Sequence, residues 1–226
     1  MLGNACLFHR IDDIYRCYDE LMGVLDQFVE RGMHCLLAVI PGKLTPEMAS
    51  YIRRNGNFSV FQHGVLHANR GTPARRDEFP ADIARETMTA ELQGGKLRLE
   101  DMLGSRVEGY VPPWNFTSGP ALQVLEGLGF RYLSAGNAVL PTALRTLPAR
   151  VDTLASYRPV RVAPVEHVEK HLRKEVAARG TAGLLYHVKD IPPDEMPWLG
   201  NVIRRAAPLT VPPGLWPVFL ESRSAA

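Results

Sequence analysis

The chain alternates short apolar runs with longer stretches in which apolar residues recur at helical spacing. Gly32 stands where a left-handed C-terminal cap would end the first helix, and Thr45 and Pro46 are a typical start of the second. This alternation predicts a succession of βα units. Seven runs have the length of strands, and they cover residues 5–12, 35–40, 58–63, 107–112, 130–135, 157–162 and 183–188.

The architecture follows from the parallel crossovers that such units make. They allow either an open doubly wound sheet or a closed barrel. Seven strands at about thirty residues per unit favour a barrel slightly short of the usual eight. We also expect a helix from Asp77 to Gly104, divided in two by Gly94 and Gly95. In either architecture, reactive residues gather at the carboxyl ends of the strands.

The composition limits the number of domains and the class of partner. A chain of 226 residues, 46% apolar and 22% charged, is typical of one globular domain, which we expect to span residues 1–226. The net charge of +2 comes from interleaved acids and bases and predicts neither a nucleic-acid surface nor a polybasic membrane patch. No stretch approaches the roughly 18 apolar residues that a membrane span needs. Three cysteines without CxxC spacing, and a start without a secretory leader, predict a cytoplasmic protein.

Reactive side chains stand at the ends of several predicted strands. Asp12 and Asp13 close the first strand, and two adjacent carboxylates repel each other unless a cation lies beside them. His63 ends the third strand, and His67 would face the same side if the chain turned helically there. An aspartate with two histidines leaves a coordination position open for water, as catalytic sites do. Such a set suits zinc first, and also cobalt, nickel, manganese or iron.

Each of these motifs also has an ordinary explanation. Adjacent aspartates can cap the following helix in solvent, and histidines four apart occur on helix faces that bind nothing. A second such pair, His167 and His171, points roughly 125° away from the apolar stripe of its helix and is expected to face solvent. His9 and His34 lack partners at ligand spacing and are expected to be packing or surface residues.

Four motifs follow one another between residue 7 and about residue 188, namely Asp12-Asp13, His63-Gly-Val-Leu-His67, Tyr110-Val-Pro-Pro-Trp114 and Leu185-Tyr-His187. Their order resembles the NodB-homology polysaccharide deacetylases, which form carbohydrate esterase family four. The resemblance implies a distorted seven-stranded α/β barrel that removes N-acetyl groups from sugars with a divalent metal. Some members act on cell-envelope sugars, so the resemblance also suggests a role in lipopolysaccharide O-antigen biosynthesis.

The resemblance also gives each residue of these motifs a role. A metal ion can lower the pKa of water from about 16 to near 7 and polarise an amide carbonyl. A backbone donor can hold the developing oxyanion, and a histidine can carry the proton that the departing amine needs at neutral pH. By resemblance these parts are the general base Asp12, the metal ligands Asp13, His63 and His67, the oxyanion donor Trp114 through its backbone N–H, and the general acid His187.

Two departures from the family pattern bear on activity. The family usually has an arginine before the proline motif, paired with the base, but this chain has Val111 there. Arg10 lies two residues before Asp12 on a strand and so shares its face, and we hypothesise that Arg10 supplies the missing orienting charge. A surface arginine is the competing explanation. The Asp-Trp motif that the family carries near its fifth strand has no convincing match in residues 132–136.

We therefore expect a metal-dependent hydrolase that removes an N-acyl group from a sugar or a sugar-linked precursor. Two other classes stay open. One is a non-catalytic carbohydrate-binding or assembly protein on the same barrel, and the other is a metal-free enzyme that uses Asp12 and His187 as an acid and base pair. Further candidates for substrate contact are Trp114 and Asn115 for the sugar ring, and Arg70, Arg75 and Arg76 for a phosphate on a nucleotide- or lipid-linked sugar.

Overall fold

The structure is a computed structural model that describes residues 7–136, 141–157 and 159–222. Its strands are β1 (Leu7–Ile14), β2 (Cys35–Val39), β3 (Phe58–His63), β4 (Gly109–Val111), β5 (Tyr132–Leu133), β6 (Arg145–Thr146), β7 (Val151–Asp152), β8 (Leu154–Tyr157), β9 (Val160–Val162) and β10 (Ala182–Tyr186). Its helices are α1 (Asp19–Glu30), α2 (Pro46–Arg54), α3 (Arg85–Leu103), α4 (Gly119–Gly127), α5 (Val165–Arg179), α6 (Met196–Ala206) and α7 (Trp216–Glu221). Eight strands form one parallel sheet in the order β6-β5-β4-β3-β2-β1-β10-β7, while β8 and β9 form an antiparallel hairpin.

Residues 145–152 close the sheet into a barrel, because this one segment forms both edge strands, β6 and β7. β6 pairs with β5 at one edge, and β7 pairs with β10 at the other. Between them, the N–H groups of Leu147 and Ala149 donate to the carbonyl oxygens of Leu133 and Ala135 at 2.8 and 2.9 Å. Taken as one interrupted strand, residues 145–152 complete a distorted seven-stranded α/β barrel. The predicted fold class is confirmed.

The central strands β1 and β2 are buried on both faces of the sheet. Every residue of β1 and β2 is buried, as expected of parallel strands covered by helices. One apolar cluster lies between sheet and helices, and a second cluster, whose members alternate with the first along the strands, includes Phe8, Leu36 and Phe61. α7 packs Trp216 and Phe219 against Phe8, near the amino-terminal ends of the strands. The carboxyl ends of the strands therefore form the mouth of the barrel.

One of the seven predicted strands is wrong. Residues 157–162 belong to the hairpin of β8 and β9, in which Tyr157 pairs with Val160, and residue 158 lies outside the described residues. β6 and β7 take its place in the barrel, and each is only two residues long, too short for an alternating pattern to be recognised. The other six predictions each overlap a barrel strand, with residues 5 and 6 outside the described residues.

The helix predicted over residues 77–104 begins later and is not divided. α3 is continuous through the Gly94-Gly95 pair. A Cβ on Gly95 would lie 2.7 Å from Nε2 of Gln62 and 3.2 Å from Cγ of Pro41. This glycine therefore allows close packing of α3 against the barrel instead of marking a break.

Candidate functional site

A bulge at the end of β1 places two adjacent carboxylates at the mouth of the barrel. Neighbouring side chains of a strand normally point to opposite faces, but β1 gains one residue relative to β2 between Ile11 and Ile14. Within the bulge Asp13 has a φ of 63°, a left-handed conformation that is unfavourable for a residue with a Cβ. As a result, Asp12 and Asp13 both contact groups at the carboxyl end of the sheet, and both are buried.

The loop after β3 brings His63 and His67 together without a helical turn. β3 ends at His63, and positive φ values at Gly64 (58°) and His67 (54°) redirect the chain. Buried Glu78 holds the loop by accepting hydrogen bonds from the two backbone N–H groups after Gly64, at 3.1 and 2.7 Å. A Cβ on Gly64 would overlap the Glu78 carboxylate, so the position requires glycine. The predicted helical turn is therefore wrong, although the two histidines do meet.

The three predicted metal ligands lie close enough to share one ion. Oδ1 of Asp13 is 3.4 Å from Nε2 of His67 and 3.8 Å from Nε2 of His63, and one ligand atom from each residue lies within 4.8 Å of the others. His63 donates its Nδ1 proton to the carbonyl oxygen of Val111 at 2.9 Å, which leaves the lone pair of Nε2 for a metal. Oδ1 of Asp13 is buried without a hydrogen-bond donor among the described residues. A divalent cation supplies what this oxygen lacks, so the residues fit such an ion.

The charges around Asp13 favour its ionised form. Burial alone would raise the pKa of Asp13, but the two histidines and the ammonium of Lys189 outweigh burial and lower this pKa below its ordinary value. Burial, followed by the charge of His63, lowers the pKa of His67 to about 4, so His67 is neutral at pH 7 and can act as a ligand. Lys189, which no sequence motif indicates, places Nζ 2.5 Å from Oδ2 of Asp13.

Arg10 is fully buried and pairs with Asp12. Its Nε and Nη2 each lie 2.9 Å from a carboxylate oxygen of Asp12. Further N–H bonds of Arg10 donate to Oδ1 of Asn115 at 2.7 Å and to the O and Oγ atoms of Ser134 at 3.0 and 3.1 Å. The surface-arginine alternative is therefore wrong. Asn115 is tied to Arg10 through the oxygen that a sugar hydroxyl would otherwise use.

His187 follows β10 directly and faces a carboxylate from the neighbouring strand β7. Its Nε2 lies 3.7 Å from Oδ2 of Asp152. Tyr157 donates a hydrogen bond to the same carboxylate, and its ring meets the His187 ring edge-on, with centroids 5.2 Å apart. Burial raises the pKa of Asp152, against the opposing charge of His187. Asp152 could not be predicted as a site residue because β7 is only two residues long. The one signal in the sequence is that Asp152 directly follows the apolar Val151.

Trp114 lies beside the three predicted metal ligands and has a left-handed backbone conformation, with a φ of 55°. Its ring is 4.6 Å from the ring of His67, centroid to centroid. Such left-handed conformations of residues with a Cβ concentrate at functional sites, because surrounding structure must stabilise them. In the described part of the chain they occur at four residues, all of them at this site: Asp13, His67, Trp114 and Asn115.

The three arginines suggested for phosphate contact have different surroundings. Arg70 donates hydrogen bonds to both carboxylate oxygens of Glu91, at 3.1 and 2.7 Å, so its charge is already paired within the protein. Arg75 and Arg76 lie over aromatic rings, and the ring under Arg76 is that of Trp114, at 5.3 Å. Of the three, Arg76 is the one in contact with a predicted site residue.

The remaining histidines lie away from the site. His167 and His171 are exposed on α5, as predicted. His9 is buried and hydrogen-bonded to two hydroxyl groups, each at 2.7 Å, and His34 is stacked on Trp216 with centroids 4.0 Å apart. Both are packing residues, which was one of the two expected roles.

Comparison with known proteins identifies the fold. No protein-family model and no curated protein matches the sequence. A family 4 acetyl xylan esterase from Clostridium thermocellum in complex with a cobalt ion is 14% identical, with a TM-score of 0.60 and coverage of 89% of this chain and 82% of that one. A family 4 carbohydrate esterase from Streptomyces lividans in complex with acetate is 13% identical, with a TM-score of 0.62 and coverage of 99% and 98%. A mutant, with restored enzymatic activity, of a family 4 pseudoenzyme from Bacillus anthracis is 14% identical, with a TM-score of 0.62 and coverage of 91% and 63%. The barrel is of the carbohydrate esterase family 4 type.

Proposed function

We propose that the protein is a metal-dependent hydrolase that removes an N-acyl group, acetyl in the first place, from a sugar. The sugar belongs to a bacterial cell-surface polysaccharide or its precursor, with lipopolysaccharide O-antigen as the setting. The observation that carries the proposal is the cluster of Asp13, His63 and His67 beside the buried pair of Arg10 and Asp12. Two similar structures support it, because they are esterases of the same fold, one in complex with a cobalt ion and one with acetate.

The proposed cofactor is a divalent metal ion, zinc first, with cobalt, nickel, manganese or iron as alternatives. Oδ1 of Asp13 and the Nε2 atoms of His63 and His67 would hold it and leave positions open for water and substrate. The ion, when bound, would acidify water and polarise the acyl carbonyl.

Asp12 accepts the proton of the attacking water in this proposal. Its two contacts with Arg10 fix the direction of the carboxylate and balance its charge. The backbone N–H of Trp114 donates to the oxyanion that develops on the acyl oxygen, and the fixed turn at this residue sets the direction of that N–H.

His187 donates the proton that the departing amine needs. Asp152 lies beside it, with Oδ2 3.7 Å from Nε2, and orients the imidazole ring. The hydroxyl of Tyr157 holds Asp152 in this position. The acid and the base thus come from the ends of two adjacent strands, β10 and β1.

The proposed substrate groove borders Tyr157, whose ring contacts that of His187. This open groove of about 730 Å³ is also lined by Pro73, Arg76, Val160 and Asp190. Aromatic and polar groups in one groove suit a sugar, which has apolar faces and hydroxyl edges. None of the helices in the described ranges has the length and apolar character that crossing a membrane requires.

We place the reaction in the cytoplasm. Cys17 is an exposed free thiol and Cys35 a buried one, which suits a reducing compartment, and Cys6 lies outside the described residues.

The test is release of amine and acetate from a panel of N-acetylated sugars, free and nucleotide-linked, with O-acetylated xylan for comparison. We expect amine release by the metal-loaded protein and a loss of about 100-fold or more in Asp12→Asn, which should still bind metal. His63→Ala should lose both metal and activity. His167→Ala, on the exposed face of α5, is the matched control and should lose neither. Release from O-acetyl esters alone would contradict the N-acyl assignment, and no release from any substrate would favour the non-catalytic carbohydrate binder.

A metal-free acid and base enzyme is the second candidate, because one contact favours it. The ammonium of Lys189 on Asp13 already supplies a positive charge to the cluster. Activity that survives both chelation and His63→Ala would establish this candidate and exclude the metal-dependent reaction.

A further inference from the structure

Lys189 reaches Asp13 from the segment that follows β10, the strand beside β1. β1 and β10 are adjacent and parallel, with Ile11 opposite Tyr186, so the segments that follow them lie side by side. The helical turn Val188–Asp190 carries Lys189 to a position where its Nζ lies 2.5 Å from Oδ2 of Asp13. The side chain of Lys189 is 41% exposed and that of Asp13 only 7%. Lysine is therefore the partner that can move.

The two oxygens of Asp13 face different partners. Oδ1 faces His63 and His67, whereas Oδ2 carries the ammonium. Asp12 is the next carboxylate in the chain, but Arg10 already neutralises it. A divalent ion on Oδ1 and an ammonium on Oδ2 would lie close together and repel each other, because one carboxylate cannot balance both charges.

The ammonium has space outside the cluster. A pocket of about 360 Å³ beside the site is lined by Asp13, Tyr18, Glu20 and Lys189, among others. The exposed lysine side chain can move into this pocket, whose wall also carries the carboxylate of Glu20.

We propose that Lys189 competes with the metal ion for Asp13. Its contact with Oδ2 makes metal loading an exchange of ammonium for ion. The affinity for metal is then lower than the three ligands alone would give, so that occupancy follows the metal concentration. The inference depends on the proposed function only in that Asp13, His63 and His67 bind a divalent ion.

The test is metal affinity at one fixed pH and without substrate. The full-length protein, stripped of metal, is titrated with Co²⁺ against a competing chelator, and the visible absorption of bound cobalt reports occupancy. We expect Lys189→Gln and Lys189→Met to bind Co²⁺ about tenfold or more tightly than the wild type. Lys189→Arg keeps the charge and should bind as weakly as the wild type. Lys174→Gln removes the same charge from the exposed face of α5 and should leave the affinity unchanged.

The possible outcomes distinguish a failure of the proposed competition from a failure of the proposed metal site. Equal affinities of the wild type and both neutral variants would overturn the competition and leave the metal site intact. Weaker binding by a folded neutral variant would also overturn it, because lysine would then assist the metal. If the wild type and the neutral variants take up no more cobalt than His63→Ala, both the competition and the metal-dependent function fail. Thermal melting identifies any variant that does not fold.

Discussion

The two halves of the site at the barrel mouth are built in opposite ways. In one half, Arg10 and Asp12 are buried, and the guanidinium is held by Asp12 and by two further residues. In the other half, the ligand atoms of Asp13, His63 and His67 face one another, and the Oδ1 atom between them has no donor among the described residues. The first half satisfies its own charges, whereas the second is suited to an exchangeable cation.

The backbone conformation also differs between the two halves of the site. Arg10 lies in the regular part of β1, while Asp13 and His67 have left-handed conformations in a bulge and a loop. A buried ion pair that is held by several further hydrogen bonds is rigid and suits a base whose direction must be fixed. Strained segments persist only where neighbours stabilise them, and they commonly mark positions that bind ligands. The contrast suggests that one half orients and the other binds.

The largest expected effect comes from breaking the buried pair of Arg10 and Asp12. Arg10→Ala leaves the Asp12 carboxylate buried without its partner, so we expect the free energy of unfolding to fall by about 3 to 5 kcal/mol. Turnover should fall by about 100-fold or more because the base loses its fixed direction, while metal content stays intact. Urea unfolding, metal analysis and the amine-release assay measure the three quantities.

A double variant controls for this effect. Arg10→Ala with Asp12→Ala removes both charges and should be destabilised by less than the sum of the single variants. An unchanged turnover rate in Arg10→Ala would reject the idea that Arg10 orients the base.

A smaller effect is expected in the strained half. Gly64→Ala introduces a Cβ that overlaps Glu78 at a positive φ, so we expect a loss of stability of about 1 to 3 kcal/mol. It should also weaken metal binding, because the same loop carries His67. Gly94→Ala is the matched control: it lies in α3 with nothing near its added Cβ and should stabilise the protein by about 0.5 to 1 kcal/mol. An unchanged free energy of unfolding in Gly64→Ala would show that Glu78 does not hold the loop as described.

The smallest effect is expected at His34, a core histidine that lies away from the site. Burial lowers the pKa of His34 from its ordinary value of 6.5 to about 3, so the unfolded chain binds the proton more tightly than the folded one. The stability that neutral His34 gives the folded state is therefore fully present above pH 6.5 and is lost as the pH falls toward 3. We expect His34→Phe to reduce the stability difference between about pH 7 and pH 5 by about 1 to 2 kcal/mol, measured by urea unfolding. An identical difference in the two proteins would contradict the buried neutral state of His34.

Much of the barrel could be predicted because its central strands contain clusters of apolar residues. β1, β2 and β3 are long enough for their burial pattern to show, whereas β6 and β7 owe their strand conformation to pairing with β5 and β10. Residues 157–162 were mistaken for a barrel strand because an antiparallel hairpin also contains extended apolar residues. A single domain over residues 1–226 stays a prediction.

The candidate site likewise contains residues that could be predicted from the sequence and residues that could not. Asp13, His63 and His67 could be predicted together because their motifs end β1 and β3, two parallel strands that both pair with β2 and so end at the same edge of the sheet. Lys189 and Asp152 could not, since their contacts depend on how separate segments fold over the mouth. The roles of the predicted catalytic residues stay predictions until activity is measured.

The most direct test of the central claim is an anomalous-difference map from crystals of the protein grown with zinc or cobalt. We expect one dominant peak within about 2.0 to 2.3 Å of Oδ1 of Asp13 and of the Nε2 atoms of His63 and His67. A map with no peak there, or side chains that diverge from any common ion, would contradict the claim that these residues bind a metal.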